Sequence, residues 1–216
     1  MKKTIIILGL LITLSVNVLA QSNRINQLVK FAMSAQERGD YENALNAYSE
    51  AIRLGETSRN IKGLRGGCAF SIIYKYVEKG NYQAADGFIN KLLAEEPNDA
   101  QYNGVKAFLL QDWGKYDEAL TYYKRAINLD PTEYEGYVSL GNFLYFRAKD
   151  DNKNGLKTSA IEKYTQALYN FRRAMELVQN YYNPSISSEM ATAIQETKDI
   201  IQEDINNCEN ELKKIR

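Results

Sequence analysis

Gly114-Lys115-Tyr116-Asp117-Glu118-Ala119-Leu120-Thr121-Tyr122-Tyr123-Lys124-Arg125-Ala126-Ile127-Asn128-Leu129-Asp130-Pro131 is the stretch that decides how this chain folds. Apolar or small residues fall at Tyr116, Ala119, Leu120, Tyr123, Ala126, Ile127 and Leu129, the spacing of one buried helix face. Gly114 ahead of it supplies a residue free to turn the chain, and Pro131 closes it. The same phrase recurs upstream as Gly39-Asp40-Tyr41-x-x-Ala44-Leu45-x-x-Tyr48-x-x-Ala51-Ile52-x-Leu54. It recurs again as Gly80-Asn81-Tyr82-x-x-Ala85-x-x-x-Ile89-x-x-Leu92 with Pro97, and downstream as Tyr164-x-x-Ala167-Leu168-x-x-Phe171-x-x-Ala174-x-x-Leu177. Small Ala lets two helices approach, and the large residue four positions on fills the gap one turn along. One such hairpin cannot cover both of its faces, so successive hairpins must stack.

The partner helix of each hairpin is less regular. Tyr137-x-x-Leu140-Gly141-x-x-Leu144 is the clearest, and Thr132-x-x-Glu135 after Pro131 reads as its capping box. Ala107 and Leu110 take the small and large positions before Gly114, and Leu28, Phe31, Ala32 and Ala35 fit before Gly39. Before Gly80 the pattern departs to Ala69, Ile72 and Ile73, and Gly63, Gly66 and Gly67 weaken that helix end. From Arg24 to about Gln179 the chain resembles the tetratricopeptide-repeat family, whose unit is 34 residues. Ala85 and Ala119 are 34 apart, whereas Ala44 to Ala85 is 41 and Ala119 to Ala167 is 48. About seven extra residues are expected within Glu56 to Lys62, and about fourteen in the fourth unit, as a polar loop over Lys149 to Thr158. Asp150, Asp151 and Asn152 in that loop lack the alternating spacing of a calcium loop.

The resemblance implies an all-α fold, a right-handed superhelical α-solenoid of stacked antiparallel helix pairs. Its repeats would run 25–58, 66–99, 100–133 and 134–181, with the insertion near 149–158. Residues 183–216 form a further amphipathic helix, opened by Asn183-Pro184 and carrying Ile186, Met190, Ile194, Ile201, Ile205, Cys208, Leu212 and Ile215 at helical spacing. That helix is expected to cap the stack, with a homo-oligomer built through it as the alternative.

Residues 1–20 read as an export address. Met1-Lys2-Lys3 leads an apolar run from Ile5 to Leu19, and Val18-Leu19-Ala20 predicts cleavage after Ala20. The run is shorter than a spanning helix needs, so the expected mature chain is periplasmic or secreted, bacterial in type, with no membrane span. Lys2 and Lys3 are the charged residues lost, which takes the formal charge from zero to −2. Nothing in that balance attracts nucleic acid.

Function classes narrow by composition as well. The chain has no histidine, which removes the usual general base and the commonest metal ligand. Cys68 and Cys208, 140 positions apart, form neither a zinc nor a redox motif and are expected as buried thiols rather than a bridge. No Gly-rich phosphate loop follows a strand. The reading is therefore a non-enzymatic module without cofactor or metal, whose partner is another protein or peptide. The family binds on the concave face of the first helices. Its register implies the groove Val29, Met33, Phe70, Tyr74, Val77, Phe108, Gln111, Val138, Asn142 and Tyr145, an apolar and aromatic surface. Members that grip a terminal carboxylate use Lys, Asn and Arg at positions that here hold Val29, Met33, Ser71, Gln101 and Val105, so that clamp is absent.

Overall fold

A computed structural model describes residues 2–180 and 187–215, with side chains from Asn17 onward. Nine α-helices and no strand occur among the described residues. They are α1 (Lys2–Glu37), α2 (Tyr41–Arg53), α3 (Arg59–Val77), α4 (Tyr82–Glu95), α5 (Ala100–Asp112), α6 (Tyr116–Leu129), α7 (Tyr134–Lys153), α8 (Lys157–Asn180) and α9 (Ser188–Ile215). The fold is all-α, built of helices joined in pairs by tight glycine turns. The chain divides into two compact units, residues 1–91 and residues 92–216.

Four hairpins end their first helix in the same way. Gly39, Gly80, Gly114 and Gly155 have φ of 74°, 67°, 80° and 77°, a region that side-chain-bearing residues rarely adopt. Each glycine N–H donates three residues back, to the carbonyl of Gln36, Val77, Gln111 or Asn152. The next N–H donates five back, to Ala35, Tyr76, Leu110 or Asp151. These are the paired bonds of a glycine helix cap, and they satisfy the carbonyls that the helix end leaves open. Asp40 and Asn81 then accept from Asn43 N and Ala84 N and so start the second helix of two hairpins.

The insertions do not form loops. Lys149 to Thr158 was expected as one, but α7 continues through Lys153, turns at Asn154-Gly155, and α8 starts at Lys157. From the first residue of α5 to Gly114 is 14 positions; from the first residue of α7 to Gly155 is 21. From Gly114 to Ala119 is 5, and from Gly155 to Ala167 is 12. The fourteen extra residues are therefore seven on each arm, about two helical turns and about 10 Å of length. The first insertion behaves alike: α3 begins at Arg59, 21 positions before Gly80, and runs straight through Gly63, Gly66 and Gly67. Ser58 accepts from Ile61 N as its cap, so the glycines do not break that helix. Lys149, Asp150, Lys153 and Asn154 are polar because they coat a solvated helix end, not because the chain is irregular there.

The expected capping box at Thr132 is also corrected. Glu133 holds the cap position of α7 without a side-chain cap hydrogen bond, and the Thr132 hydroxyl donates to Asp130 Oδ1 at 2.7 Å. The turn after α6 is thus fixed locally by an aspartate two residues back. Asn183-Pro184, expected to open the last helix, and Ile186 lie outside the described residues; α9 begins at Ser188, with Ser187 Oγ accepting from Met190 N.

In the second unit one core runs through α5 to α9, from Ala107 and Leu110 by way of Tyr137, Phe143, Ala167 and Phe171 to Ile201, Ile205, Cys208 and Leu212. Tyr123 and Phe143 rings lie 5.4 Å apart within it. The tail helix thus covers the side of α8 rather than standing free. At the α7–α8 crossing, a Cβ added to Gly141 would fall 2.7 Å from Phe171 Cε1. The Leu-Gly step of the sequence is there because the Phe171 ring occupies the space. In the first unit Ala32, Ala35, Ala44, Tyr48, Ala51, Cys68 and Ala69 are fully buried. Burial pushes the thiol of Cys68 up to about 11 and, with Asp204 and Glu209 adding to it, that of Cys208 to about 12, so both stay protonated and inert.

Gly141→Ala should lose about 1–3 kcal/mol by overpacking. Gly67→Ala, whose new methyl meets nothing within 4 Å, should gain about 0.5–1 kcal/mol from helix propensity. Urea titrations read both, and equal effects of the two would contradict the crossing geometry.

Candidate partner-binding surface

None of the ten residues expected in the groove belongs to the fully buried set. In the first unit Met33, Phe70 and Tyr74 are 48%, 39% and 45% exposed, and Val29 and Val77 are half-buried. Phe70 and Tyr74, one turn apart on α3, stack with centroids 6.2 Å apart. A depression of about 390 Å³ lies between α1 and α3, lined by Met33, Gln36 and Glu37 of α1, Tyr41 and Tyr48 of α2, and Leu64 and Ser71 of α3. Met33 and Ser71 both line it, and no cationic side chain does. A second depression, about 310 Å³, runs from Gly39, Asp40, Tyr41 and Glu42 to Ile72, Lys75, Tyr76 and Lys79.

Lys75 closes the edge of that second depression. Its Nζ donates to Gly39 O at 3.3 Å and sits 4.6 Å from the centre of the Tyr41 ring. Arg147 does the same for the second unit, 3.9 Å over the Tyr116 ring. In both cases the Tyr of a Gly-x-Tyr turn is held by a cation from the next first helix, a contact of about 0.5–2 kcal/mol.

In the second unit Phe108, Gln111, Val138, Asn142 and Tyr145 are all partly exposed. Two of them have structural duties. Gln111 Oε1 accepts from the buried Tyr123 hydroxyl at 2.8 Å, and burial raises that phenol's pKa. Tyr145 packs edge-on to Tyr164 at 5.5 Å, and its phenol is raised by burial first and then by Glu211 of α9. The Gln–Tyr pair was not anticipated, although a signal existed. Gln36 accepts from Tyr48 at 3.1 Å with the same twelve-residue separation. The equivalent positions of the second hairpin are Val77 and Ile89, so there the polar pair is replaced by an apolar one as a whole.

Asp150 and Asp151 of the lengthened hairpin are held by cations of the chain itself. Asp150 pairs with Arg147 at 2.9 Å. Asp151, 7% exposed, accepts from Ser159 Oγ at 2.6 Å and from Lys163 Nζ at 2.5 Å. These two bonds hold its carboxyl below the usual range. The group clasps the ends of α7 and α8. Among the described residues no cluster of three or more carboxylates or thiols could hold a metal ion. Nor, among the described residues, is any helix long and apolar enough to cross a membrane.

Two substitution sets test these contacts. Gln111→Leu should cost about 1–3 kcal/mol by stranding a buried phenol, Tyr123→Phe about 1, and the double variant less than their sum; strictly additive losses in a double-mutant cycle would refute the bond. For Asp151, whose folded pKa is depressed, the stabilisation is present at neutral pH and is lost as pH falls below about 4. Asp151→Asn should lower the urea midpoint at pH 7 and flatten the decline at low pH; an unchanged acid profile would count against the clasp.

Comparison with known proteins agrees with this geometry. The TPR repeat family model matches residues 112–145, from the end of α5 through α6 into α7. A Photosystem I assembly protein Ycf3 from Synechococcus sp. (strain CC9605) is 27% identical over 126 residues, covering 52% of this chain and 69% of that protein. Among solved structures, the TPR2AB domain of yeast Sti1 in its pHSP90 complex overlaps 86% of this chain and 69% of its own at 14% identity and a TM-score of 0.46. MamA from Desulfovibrio magneticus RS-1 overlaps 74% of this chain and 78% of its own at 19% identity and a TM-score of 0.43. Overlaps of that size carry nothing about partners. The family model describes a repeat and names no catalysis. Over residues 112–145 the chain carries a match to the TPR repeat, and the glycine-capped form of that hairpin recurs in the other three.

Proposed function

We propose that this protein is an exported, non-catalytic scaffold that holds a peptide or helix of another protein against the exposed side of its first-type helices. One observation carries the reading: the depression between α1 and α3, with exposed Met33 on one wall and the exposed Phe70–Tyr74 stack beside it. Large rings that already lie against each other offer contact area with little further loss of freedom on binding. Relatives named for Photosystem I assembly support a holding role over a chemical one. The cell-envelope location rests on the Lys-led apolar run that ends at Ala20. Cleavage there leaves Gln21–Glu37 as the first helix of the first hairpin, which retains Val29, Met33 and the buried Ala32 and Ala35.

Photo-crosslinking from position 33 in intact cells should trap a discrete partner, and Phe70→Ala with Tyr74→Ala should reduce the yield at least tenfold. Undiminished trapping would remove this face from consideration. N-terminal sequencing of the protein recovered from cells should begin at Gln21; a retained Met1 start would remove the export step.

A further inference from the structure

We propose that Asn154-Gly155, the turn of the lengthened α7–α8 hairpin, is a self-modification site: its own backbone expels the side-chain amide as ammonia, which gives that hairpin a chemical lifetime gated by the Asp151–Ser159–Lys163 clasp.

The reaction needs a side-chain amide one residue ahead of an unhindered backbone nitrogen, and glycine, with no Cβ, offers the least hindrance. Two Asn-Gly steps occur in the chain, Asn103-Gly104 and Asn154-Gly155. The fold treats them oppositely. Asn103 is fully buried within α5, and its Nδ2 donates to Pro97 O at 3.2 Å and to Asp99 O at 2.7 Å, so that amide is fixed. Asn154 is exposed at the end of α7, and its carboxamide bonds to no described residue. A Cβ at Gly155 would meet nothing within 4 Å, so no neighbour shields the attacking nitrogen. The residues ahead of the four glycine caps are Arg38, Lys79, Trp113 and Asn154. Only the last carries an amide that can close the ring.

The step balances without a co-reactant other than water. The Gly155 nitrogen loses its proton to solvent and attacks Asn154 Cγ. An N–C bond forms, the Cγ–Nδ2 bond breaks, and Nδ2 leaves as ammonia. Water then opens the five-membered imide at either carbonyl, giving aspartate or isoaspartate.

Tertiary structure sets the rate. The Gly155 N–H donates to Asn152 O at 3.1 Å, so the attacking nitrogen is released only when the tip frays. Asp151 restrains the fraying twice. Its carbonyl accepts from Asn154 N and Leu156 N, while its carboxylate accepts from Ser159 and Lys163. The products loosen the same tip. A carboxylate at position 154 lies at the C-terminal end of α7, where the helix dipole disfavours negative charge. Isoaspartate also inserts one carbon into the main chain, which shifts the Gly155 and Leu156 donors off their acceptors.

Peptide mapping by mass spectrometry of the full-length protein, incubated at about pH 8, tests this through the mass gain of amide-to-acid conversion and the separate elution of isoaspartate. In the folded protein position 154 should convert at least tenfold faster than position 103, and in urea the two rates should converge. Lys163→Met, which breaks the clasp without altering the turn, should speed conversion at 154 at least threefold in buffer and leave its rate in urea unchanged. Slow conversion at 103 in that variant shows that it stays folded. Asn154→Gln should abolish the product, because its ring would need one more atom. Retention of the amide at 154 after the urea-unfolded chain has converted overturns the site. So does equal conversion at 103 and 154 in the folded protein. A folded-state rate that Lys163→Met leaves unchanged overturns the gating by the clasp.

Discussion

Close approach of two helices at a small residue, with a ring filling the space beside it, is the contact on which the structure rests. Gly141 against Phe171 shows it most directly, since there is no room for even one methyl group. The same register places Ala32 with Tyr48 and Ala107 with Tyr123, sixteen residues apart, and the second hairpin substitutes Ile73 and Ile89. Each rung fixes the distance between the arms of its hairpin. That distance in turn sets which faces remain for the neighbouring hairpin to cover. The hydroxyls of Tyr48 and Tyr123 are met by Gln36 and Gln111 at the far end of the first helix, whereas Tyr164 buries its hydroxyl without a partner. Where the ring has no hydroxyl, no glutamine is present at the matching place.

Phase is the second constraint, and it explains how the chain tolerates 41- and 48-residue steps in a 34-residue pattern. Seven residues are close to two turns, so an insertion of seven rotates the following residues by only about 20°. The first insertion lengthens α3 by seven, and the second lengthens α7 and α8 by seven each. The buried stripes stay buried. An insertion of five or nine would instead have rotated them by about 140° or 180° and turned Ala107- or Ala167-type positions outward. The longer hairpin then needs something to hold its extended tips, and the Asp151–Ser159–Lys163 clasp lies there, one turn from Gly155.

The lengthened tips are also where reading by composition failed. Lys149 to Thr158 is rich in Lys, Asp and Asn, and polarity alone does not separate a loop from the solvated end of a helix. The turn was nevertheless written at Asn154-Gly155, in the same form as Arg38-Gly39 and Trp113-Gly114. Thr132 followed by Glu135 satisfied a capping rule, yet Asp130, two residues upstream, offered the Thr132 hydroxyl a nearer acceptor. Cation–ring contacts such as Lys75 on Tyr41 and Arg147 on Tyr116 join residues more than thirty positions apart. No local pattern marks them.

The sequence by itself determined the hairpins, their phase and the side of each first helix that faces away from its partner. Periodicity and glycine punctuation are local properties, and a helix face follows from them at 100° per residue. Only the tertiary structure decided how each outward residue is used. Met33 borders a depression because Ser71 and Leu64 arrive opposite it; Gln111, in an equivalent stretch, is engaged by the Tyr123 hydroxyl; Tyr145 is shielded beside α9. Exposure is a property of what arrives from elsewhere in the chain, so periodicity alone cannot assign it.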